Sequence, residues 1–295
     1  MPTVSAIIPA FNAAETIGAA IESVLDQSYP VDEVVVVDDG STDDTGIVAA
    51  RYGTSIRVVH TVNQGPALAR NAGMKRSKGD WFAFLDADDR WHRDKLKVQL
   101  AVAAGNSEVQ LIAADWTRSG EFLPLARCPR VTPITYLDFF TMNQFQTSTV
   151  LIARSLALRL DGFDSAINGA EDWDYWLRAA RMSPILKVDW PLVQYRDVSH
   201  GYSKDLARSY QALQAMWQKL GGDHGLSPSR YARLETWHHL RFCLAFLRQS
   251  DPKQARHAWS RAWQSSLRRH IPGAAVSYLL PYLLGRHLSR RRHSR

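Results

Sequence analysis

The segment EVVVVDDGSTDDT, residues 33–45, joins a continuous apolar run to a turn of acidic and small polar residues. The run at 33–37 predicts a strand that is buried on both faces, as in a parallel sheet. Strand-like runs also occur at 3–9, 56–60 and 81–85, and segments with helical spacing separate them. This alternation predicts an α/β fold with a mainly parallel sheet flanked by helices.

Carboxylates follow two of these predicted strands. Asp39 comes after the strand at 33–37, and Asp86 and Asp88 come after the strand at 81–85. Ligands of open α/β sheets bind beyond the carboxyl ends of the strands. Residues two apart in an extended segment point to the same side, so Asp86 and Asp88 can converge on one divalent cation such as Mg²⁺ or Mn²⁺. The alternative is a solvated acidic turn.

Five motifs, in order, resemble those of the family 2 glycosyltransferases, which have the GT-A fold. They are AIIPAFNA at 6–13, VVVDDGSTDDT at 35–45, NQGPALARNAG at 63–73, WFAFLDADD at 81–89 and GAEDWDYWLRA at 169–179. The ordered set is far more specific than any one motif. The resemblance implies a catalytic domain at 1–203, with a nucleotide-sugar-binding half at about 1–115 and an acceptor half at about 116–203.

The resemblance also implies a nucleotide pocket. Its members would be Pro9, Ala10, Phe11, Asn12, Asp39, Arg70 and Asp86. By this resemblance Asp39 accepts a hydrogen bond from the base, and Arg70 lies near the nucleotide and the acidic turn. The alternatives are a core aromatic for Phe11 and a surface helix arginine for Arg70. Asn12 also stands where it can cap the helix that follows.

Asp86 and Asp88 resemble the DxD motif that holds Mn²⁺ or Mg²⁺ on the donor diphosphate. His200 resembles a family histidine that reaches the metal or the diphosphate, although the YRDVSHGYS spacing departs from the usual form. The alternative for His200 is an ordinary loop histidine.

Asp172 resembles the catalytic base, which takes a proton from the acceptor hydroxyl. The alternative for Asp172 is a helix cap alone. The neighbouring Glu171 and Trp173 are predicted to contact the acceptor. Asp174 is expected to pair with Arg178, four residues later on the same helix.

A helical C-terminal region is predicted for residues 204–295. One apolar stripe contains Leu206, Tyr210, Leu213, Trp217 and Leu220. A second stripe contains Ala255, Ala258, Trp259, Ala262 and Trp263. We expect both stripes to pack against other helices.

Charge is distributed unevenly along the chain. The net charge is +7, and residues 201–295 contain 17 basic and 4 acidic side chains. The tail at 268–295 combines an uncharged stretch at 271–284 with clustered arginines, which predicts contact with an anionic membrane surface. The stretch is too short to span a bilayer, which takes about 20 residues. A packed segment with a disordered charged end is the alternative, and nucleic acid is not expected because no recognition motif accompanies the charge.

The composition excludes several classes of protein. Two cysteines exclude a disulfide scaffold and a multi-cysteine zinc module. The motifs G-x-G-x-x-G and G-x-x-x-x-G-K-[ST] are missing, so the chain lacks the phosphate-binding loops that are typical of dinucleotide oxidoreductases and P-loop enzymes. The N-terminus has no basic region before its short apolar run, so we expect no signal peptide and a cytoplasmic protein, peripheral on the inner face of the cell membrane.

The expected function is that of an inverting glycosyltransferase. The resemblance implies a nucleoside-diphosphate-sugar donor, with uridine favoured, and a saccharide or lipid-linked acceptor in envelope polysaccharide or glycolipid synthesis. Two other functions stay open. One is a nucleotide-sugar-binding protein without turnover. The other is a sugar nucleotidyltransferase, for which a glycine-rich loop is expected where this chain has Pro9 to Asn12.

Overall fold

The fold is taken from a computed structural model of the chain. It describes residues 1–118, 120–122, 124–125, 129–196, 205–221 and 225–267. The chain divides into two compact units, Met1–Tyr202 and Ser203–Arg295. The predicted domain boundary, His200 and the basic tail at 268–295 lie outside the described residues.

One sheet organises the first unit. Its strands are β1 (Val4–Ala10), β2 (Glu33–Asp38), β3 (Arg57–His60), β4 (Trp81–Phe84), β5 (Arg90–Trp91), β6 (Leu111–Thr117), β7 (Val131–Ile134), β8 (Leu151–Ala153) and β9 (Ile185–Gln194). The strand order is β3-β2-β1-β4-β8-β6-β9-β5, and β7 pairs with β9. Strands β1 to β4 are parallel as predicted, whereas β8 runs antiparallel to both β4 and β6. The α/β class is therefore confirmed, with a parallel half and a mixed half.

Helices flank this sheet and form the second unit. They are α1 (Ile17–Leu25), α2 (Thr45–Ala50), α3 (Pro66–Arg76), α4 (Lys95–Ala104), α5 (Arg154–Arg159), α6 (Glu171–Met182), α7 (Leu206–Leu220), α8 (Pro228–Arg248) and α9 (Pro252–Leu267). Short 3₁₀ turns occur at Gly53–Ser55, Asp138–Phe140 and Thr147–Thr149. Within the described ranges, no helix combines the length and the hydropathy that a membrane span requires.

Helix α3 lies unusually close to the sheet. Gly73 faces Ile7 of β1, and a Cβ atom at position 73 would collide with the Ile7 side chain. The valine run of β2 is buried throughout, as its unbroken apolar sequence predicts. The glycine therefore sets the distance between the sheet and α3, the helix that carries Arg70.

The predicted cap of α1 is wrong. Helix α1 begins after Thr16, and no side chain caps it. Asn12 instead adopts a left-handed backbone conformation with φ of 49°. Asparagine is one of the few residues that tolerate this conformation. Its carboxamide oxygen accepts a hydrogen bond from the backbone N–H of Thr42 at 2.8 Å, so the residue joins two loops.

The helical unit confirms one predicted stripe and corrects the other. Tyr210, Leu213 and Trp217 of α7 are buried. The packing predicted for Trp259 and Trp263 of α9 is wrong, because 55% and 57% of these residues are exposed. The alanines of the same stripe are buried instead, on the side of the helix next to the tryptophans. Small side chains let α9 pack closely with α8, which leaves the indoles outside.

Candidate active site

Two loops at the carboxyl ends of β1 and β2 form one edge of the candidate site. Pro9 and Ala10 are buried within β1, whereas Phe11 is 48% exposed at the end of the strand. The core-aromatic alternative for Phe11 is therefore wrong. The Asn12 N–H donates to Ser41 Oγ at 3.0 Å, so this loop is fixed against the loop after β2.

Asp39 is buried behind this edge and is held by the loop before α3. Its carboxylate accepts hydrogen bonds from Thr61 Oγ1 at 2.9 Å, Gln64 N at 3.1 Å and Gly65 N at 2.8 Å. Gly65 is the N-terminal cap residue of α3, where free N–H groups favour an anion. Asp39 therefore anchors the helix that carries Arg70.

A groove of about 420 Å³ opens beside Asp39. Its lining includes Thr61, Gln64, Leu68, Asn71, Lys75 and Leu158. The volume lies within the range of small-molecule sites, roughly 300–1,000 Å³. Asp86, Asp88 and Asp172 do not line this groove, so Asp39 belongs to a separate part of the site.

Arg70 joins the acidic turn to the ED motif. Its Nη2 lies 2.8 Å from Asp86 Oδ1, and its Nη1 lies 3.2 Å from Glu171 Oε1. Only 5% of the residue is exposed, so the surface-arginine alternative is wrong. Burial disfavours the charged guanidinium, but the charges of Asp86 and Glu171 outweigh it and raise the pKa of Arg70. The arginine is thus a permanent cation between the two acidic motifs.

Asp86 and Asp88 lie on a tight turn and not on the extended segment that the spacing predicts. The Asp89 N–H bonds to the Asp86 carbonyl at 3.0 Å, which closes the turn. Burial, and then the charge of Asp86, raise the pKa of Asp88 to about 6. The two carboxylates therefore carry negative charge that Arg70 compensates only in part.

This donor set fits a divalent cation. Mg²⁺ and Mn²⁺ favour carboxylate oxygens and complete their shells with water and phosphate oxygens. Burial is the main cause of the raised Asp88 pKa, and a cation held by these residues would offset the second cause, the charge of Asp86. Among the described residues, no cluster of three or more His, Cys, Asp or Glu side chains is arranged for a metal, and His200, the further predicted ligand, lies outside them.

Asp89 stabilises the acidic turn through hydrogen bonds to neighbouring segments. Its carboxylate accepts from Ser148 Oγ at 2.6 Å and from the Arg196 N–H at 3.0 Å. Ser148 Oγ in turn accepts the Asp86 N–H at 3.0 Å. Burial, and then the charge of Asp86, raise the pKa of Asp89 to about 8. The residue fastens the acidic turn to the segment before β8 and to the end of β9.

Asp172 lies in the first turn of α6 beside this cluster. Its Oδ2 accepts from Asn143 Nδ2 at 2.8 Å, and its Oδ1 accepts from the Trp173 N–H at 2.7 Å. Thr147 Oγ1 lies 3.5 Å from the same Oδ2. Burial, and then the charge of Glu171, raise the pKa of Asp172 to about 6. A carboxylate with this pKa can accept a proton near neutral pH.

The residues beside Asp172 are engaged within the protein. Glu171 is buried, and its Oε2 accepts the Gly169 N–H at 2.9 Å while Oε1 meets Arg70. Trp173 is buried, and its indole N–H donates to the Phe139 carbonyl at 2.7 Å. The contacts of both residues with an acceptor stay predictions. The predicted pairing of Arg178 with Asp174 is present at 2.8 Å.

Three polar residues of the site were not predicted from the sequence. They are Asn143, Thr147 and Ser148, which contact Asp172 or Asp86. They belong to an irregular stretch between β7 and β8, where no periodic pattern marks a position. The run Thr147–Thr149, which is polar and directly precedes an apolar strand, was the available signal. The structure thus brings Arg70, Asp86, Asp88, Glu171 and Asp172 together.

Family comparison agrees with this architecture. Residues 5–160 match the model of glycosyl transferase family 2, and the chain belongs to this family. The chain is 39% identical over 227 residues to TuaG of Bacillus subtilis, a protein described as a putative teichuronic acid biosynthesis glycosyltransferase; the match covers 73% of this chain and 86% of TuaG. It is 31% identical over 211 residues to the amylovoran biosynthesis glycosyltransferase AmsB of Erwinia amylovora, with 66% of this chain and 70% of AmsB covered.

Other relatives are much longer than this chain. A glycosyltransferase of Rickettsia bellii, not characterised, is 30% identical over 226 residues, which are 73% of this chain. The match spans only 33% of that relative's length, and 38% of a similar protein from Rickettsia felis.

Solved structures share the fold. TarS of Staphylococcus aureus, residues 1–349 in complex with UDP-GlcNAc, has a TM-score of 0.65 at 19% identity, with 89% of this chain and 92% of that chain covered. The mannosyltransferase PcManGT of Pyrobaculum calidifontis, in complex with GDP-Man and Mn²⁺, has a TM-score of 0.64 at 21% identity, with 96% and 80% covered. Together with the mixed sheet described above, these likenesses identify the GT-A fold.

Proposed function

We propose that this protein transfers a sugar from a nucleoside-diphosphate sugar to an acceptor hydroxyl, with inversion at the anomeric carbon. One observation carries the proposal: the buried Arg70 pairs with Asp86 on one side and Glu171 on the other, beside Asp172. A donor-binding acid and a base must face the same sugar for an in-line displacement. Because the Arg70 guanidinium bridges the acidic turn and the ED motif, the two motifs are held at one place.

The proposed base is Asp172. Its carboxylate accepts the proton of the acceptor hydroxyl while that oxygen attacks the anomeric carbon and the bond to the donor diphosphate breaks. The transition state has oxocarbenium character, as in other glycosyl chemistry. Asn143 and the Trp173 N–H orient the carboxylate, so the proton is taken at a defined position.

The diphosphate would be held at the acidic turn. Asp86 and Asp88 are the residues that would bind Mn²⁺ or Mg²⁺, and the ion would stabilise the charge that develops on the leaving diphosphate. Arg70 neutralises Asp86 at 2.8 Å, so the turn keeps its shape when no donor is bound.

Uridine is the proposed nucleoside of the donor. Phe11 offers an exposed aromatic face, and Asp39 offers a carboxylate that accepts N–H donors. A pyrimidine ring N–H can donate a hydrogen bond to the Asp39 carboxylate, and an unpaired N–H would cost about 1–3 kcal/mol. The complex of TarS with UDP-GlcNAc supports this choice, whereas the complex of PcManGT with GDP-Man is the reason to test it.

Envelope polysaccharide or glycolipid synthesis is the proposed process. Two relatives, TuaG and AmsB, are described as acting in teichuronic acid and amylovoran biosynthesis. The acceptor would be a saccharide or a lipid-linked saccharide. A cytoplasmic protein bound to the inner face of the membrane through residues 268–295 would meet such an acceptor.

Calorimetry tests the donor site. UDP should bind the protein with Mn²⁺, and Asp88→Asn should weaken that binding by about tenfold or more because an ion ligand is lost. Asp26→Asn is a matched control, since Asp26 is exposed at the C-terminal end of α1 and makes the same change of charge. Equal metal dependence in the wild type and Asp88→Asn would contradict the assignment.

A product assay separates the possible functions. The protein is incubated with UDP-, GDP- and dTDP-sugars, Mn²⁺ and saccharide acceptors, and the products are analysed by NMR for anomeric configuration. Inverted product supports the proposal, and retained configuration contradicts it. UDP binding without any product would favour a non-catalytic nucleotide-sugar-binding protein. Formation of the nucleotide sugar from a nucleoside triphosphate and a sugar phosphate would identify a nucleotidyltransferase.

A further inference from the structure

The solvent side of α9 is aromatic, while the packed side is made of small residues. Ala255, Ala258 and Ala262 are almost completely buried. Trp259 and Trp263 are more than half exposed on the neighbouring side. A helix that only packs in a bundle has its large apolar residues inside. The arrangement in α9 is the reverse.

The two indoles form one patch. They are four residues apart, so they are neighbours on the helix surface. A single exposed apolar side chain is common, but two adjacent tryptophans on one face mark an interaction surface. Ser260, also exposed, lies beside them and adds no bulk.

Positive charge lies on the same face. Lys253 and Arg256 are exposed and precede the tryptophans by one or two helical turns. Residues 252–295 contain ten lysines and arginines and no aspartate or glutamate. The stretch at 271–284 in this same region is uncharged and rich in leucine and tyrosine. A partner must therefore be anionic and must also accept aromatic and apolar groups.

We propose that the tryptophan face of α9, formed by Lys253, Arg256, Trp259, Ser260 and Trp263, docks on the headgroup region of an anionic lipid bilayer. Indole rings favour the level of the headgroups, where one edge is apolar and the other is hydrated. Lysine and arginine next to them meet the lipid phosphates. A nucleic acid would match the charge but not the apolar stretch at 271–284.

This surface adds a folded contact to the membrane association proposed for the tail. It does not depend on the transfer reaction, because binding to vesicles requires no donor. A failure of the lipid assay would leave the UDP and product assays unchanged, so the two proposals fail separately.

Flotation of the full-length protein with vesicles tests the surface. The vesicles contain phosphatidylglycerol and phosphatidylcholine, and pure phosphatidylcholine vesicles serve as the neutral comparison. The double variant Trp259→Ser/Trp263→Ser should lose about tenfold or more in its partition onto anionic vesicles. Ile47→Ser is the matched control, because Ile47 is 61% exposed on α2 of the other unit. Circular dichroism and thermal melts verify that each variant is folded.

Several results would overturn the proposal. Equal flotation of the folded double variant and the wild type would remove the tryptophans from the contact. An equal loss in Ile47→Ser would show a non-specific effect of hydrophobicity. Tight binding to a single-stranded oligonucleotide without flotation would identify a nucleic-acid surface. A wild type that is dimeric and a double variant that is monomeric, with no flotation of the wild type or the variant, would identify a surface for a second copy of the chain.

Discussion

The parallel and mixed halves of the first unit hold their key carboxylates with different sets of donors. Asp39, beyond the parallel strands, is held largely by the main-chain N–H groups of Gln64 and Gly65. Asp172, in the mixed half, accepts one main-chain N–H, from Trp173, and otherwise depends on the side chain of Asn143, with Thr147 close by. Main-chain donors survive every substitution except proline, whereas side-chain donors can be changed one at a time. The proposed base can therefore be tuned by substitution more easily than the nucleotide end.

The largest effect is expected when the base itself is changed. Asp172→Asn should lower turnover by about 10²- to 10⁴-fold, because the amide cannot take the proton. UDP binding should survive, since Asp39 and the acidic turn are untouched. Turnover at saturating donor measures the role of the base, and calorimetry with UDP measures donor binding. Near-normal turnover would remove Asp172 from this role, and a parallel loss of UDP binding would show that the halves are not separable.

A large effect on stability is expected at the residue that joins the halves. Arg70→Met leaves the buried Glu171 and the half-buried Asp86 without their cation, so the free energy of unfolding should fall by about 3–5 kcal/mol. Urea denaturation measures it. Lys187→Met is the control, because it breaks more exposed pairs with Asp115 and Asp189 in the same unit, for about 1 kcal/mol or less per pair. Similar losses in both variants would mean that Arg70 does not bridge the halves.

The double variant Arg70→Met/Glu171→Gln refines that result. Removing the charge of Glu171 should recover part of the lost stability, because one unpaired carboxylate is gone. Strict additivity of the two substitutions would contradict the pairing of Glu171 with Arg70.

The smallest effect is expected in the pH profile. Asp172 must be ionised to act as the base, so activity should fall as the pH drops through about 6. Asn143 donates to the ionised form and lowers the pKa, so Asn143→Ala should move the acidic limb of kcat/KM upward by about one pH unit. Saturating Mn²⁺ would keep Asp88 ionised during the assay if Asp88 binds the ion as proposed. Gln144→Ala is the control, because its amide bonds to the Asp138 carbonyl and not to Asp172; an unmoved limb in Asn143→Ala would contradict the contact.

The sequence predicted the parallel half better than the mixed half. Asp39 and Asp86 could be located because each follows a continuous apolar strand, and such strands end at one edge of the sheet. Asn143, Thr147 and Ser148 could not be located, because their position depends on β8 entering the sheet antiparallel between β4 and β6. That pairing is a long-range choice that leaves no periodic trace in the residues themselves.

Two other limits of sequence reasoning have physical causes. Whether Arg70 faced solvent or the core depended on how closely α3 approaches the sheet. For Trp259 and Trp263, helical spacing identified a stripe but not which part of it is packed. In each case the deciding quantity is the separation between two elements, and a pattern within one element does not contain it.

The close packing of α3 against β1 has a genetic consequence. A methyl group or more at Gly73 would push the helix away from Ile7, and Arg70 would move with it. The substitution would disturb both acidic motifs at once, although position 73 touches neither. A screen for loss-of-function alleles would therefore recover Gly73 among the apparent active-site mutants, and second-site suppressors would be expected where Ile7 becomes smaller.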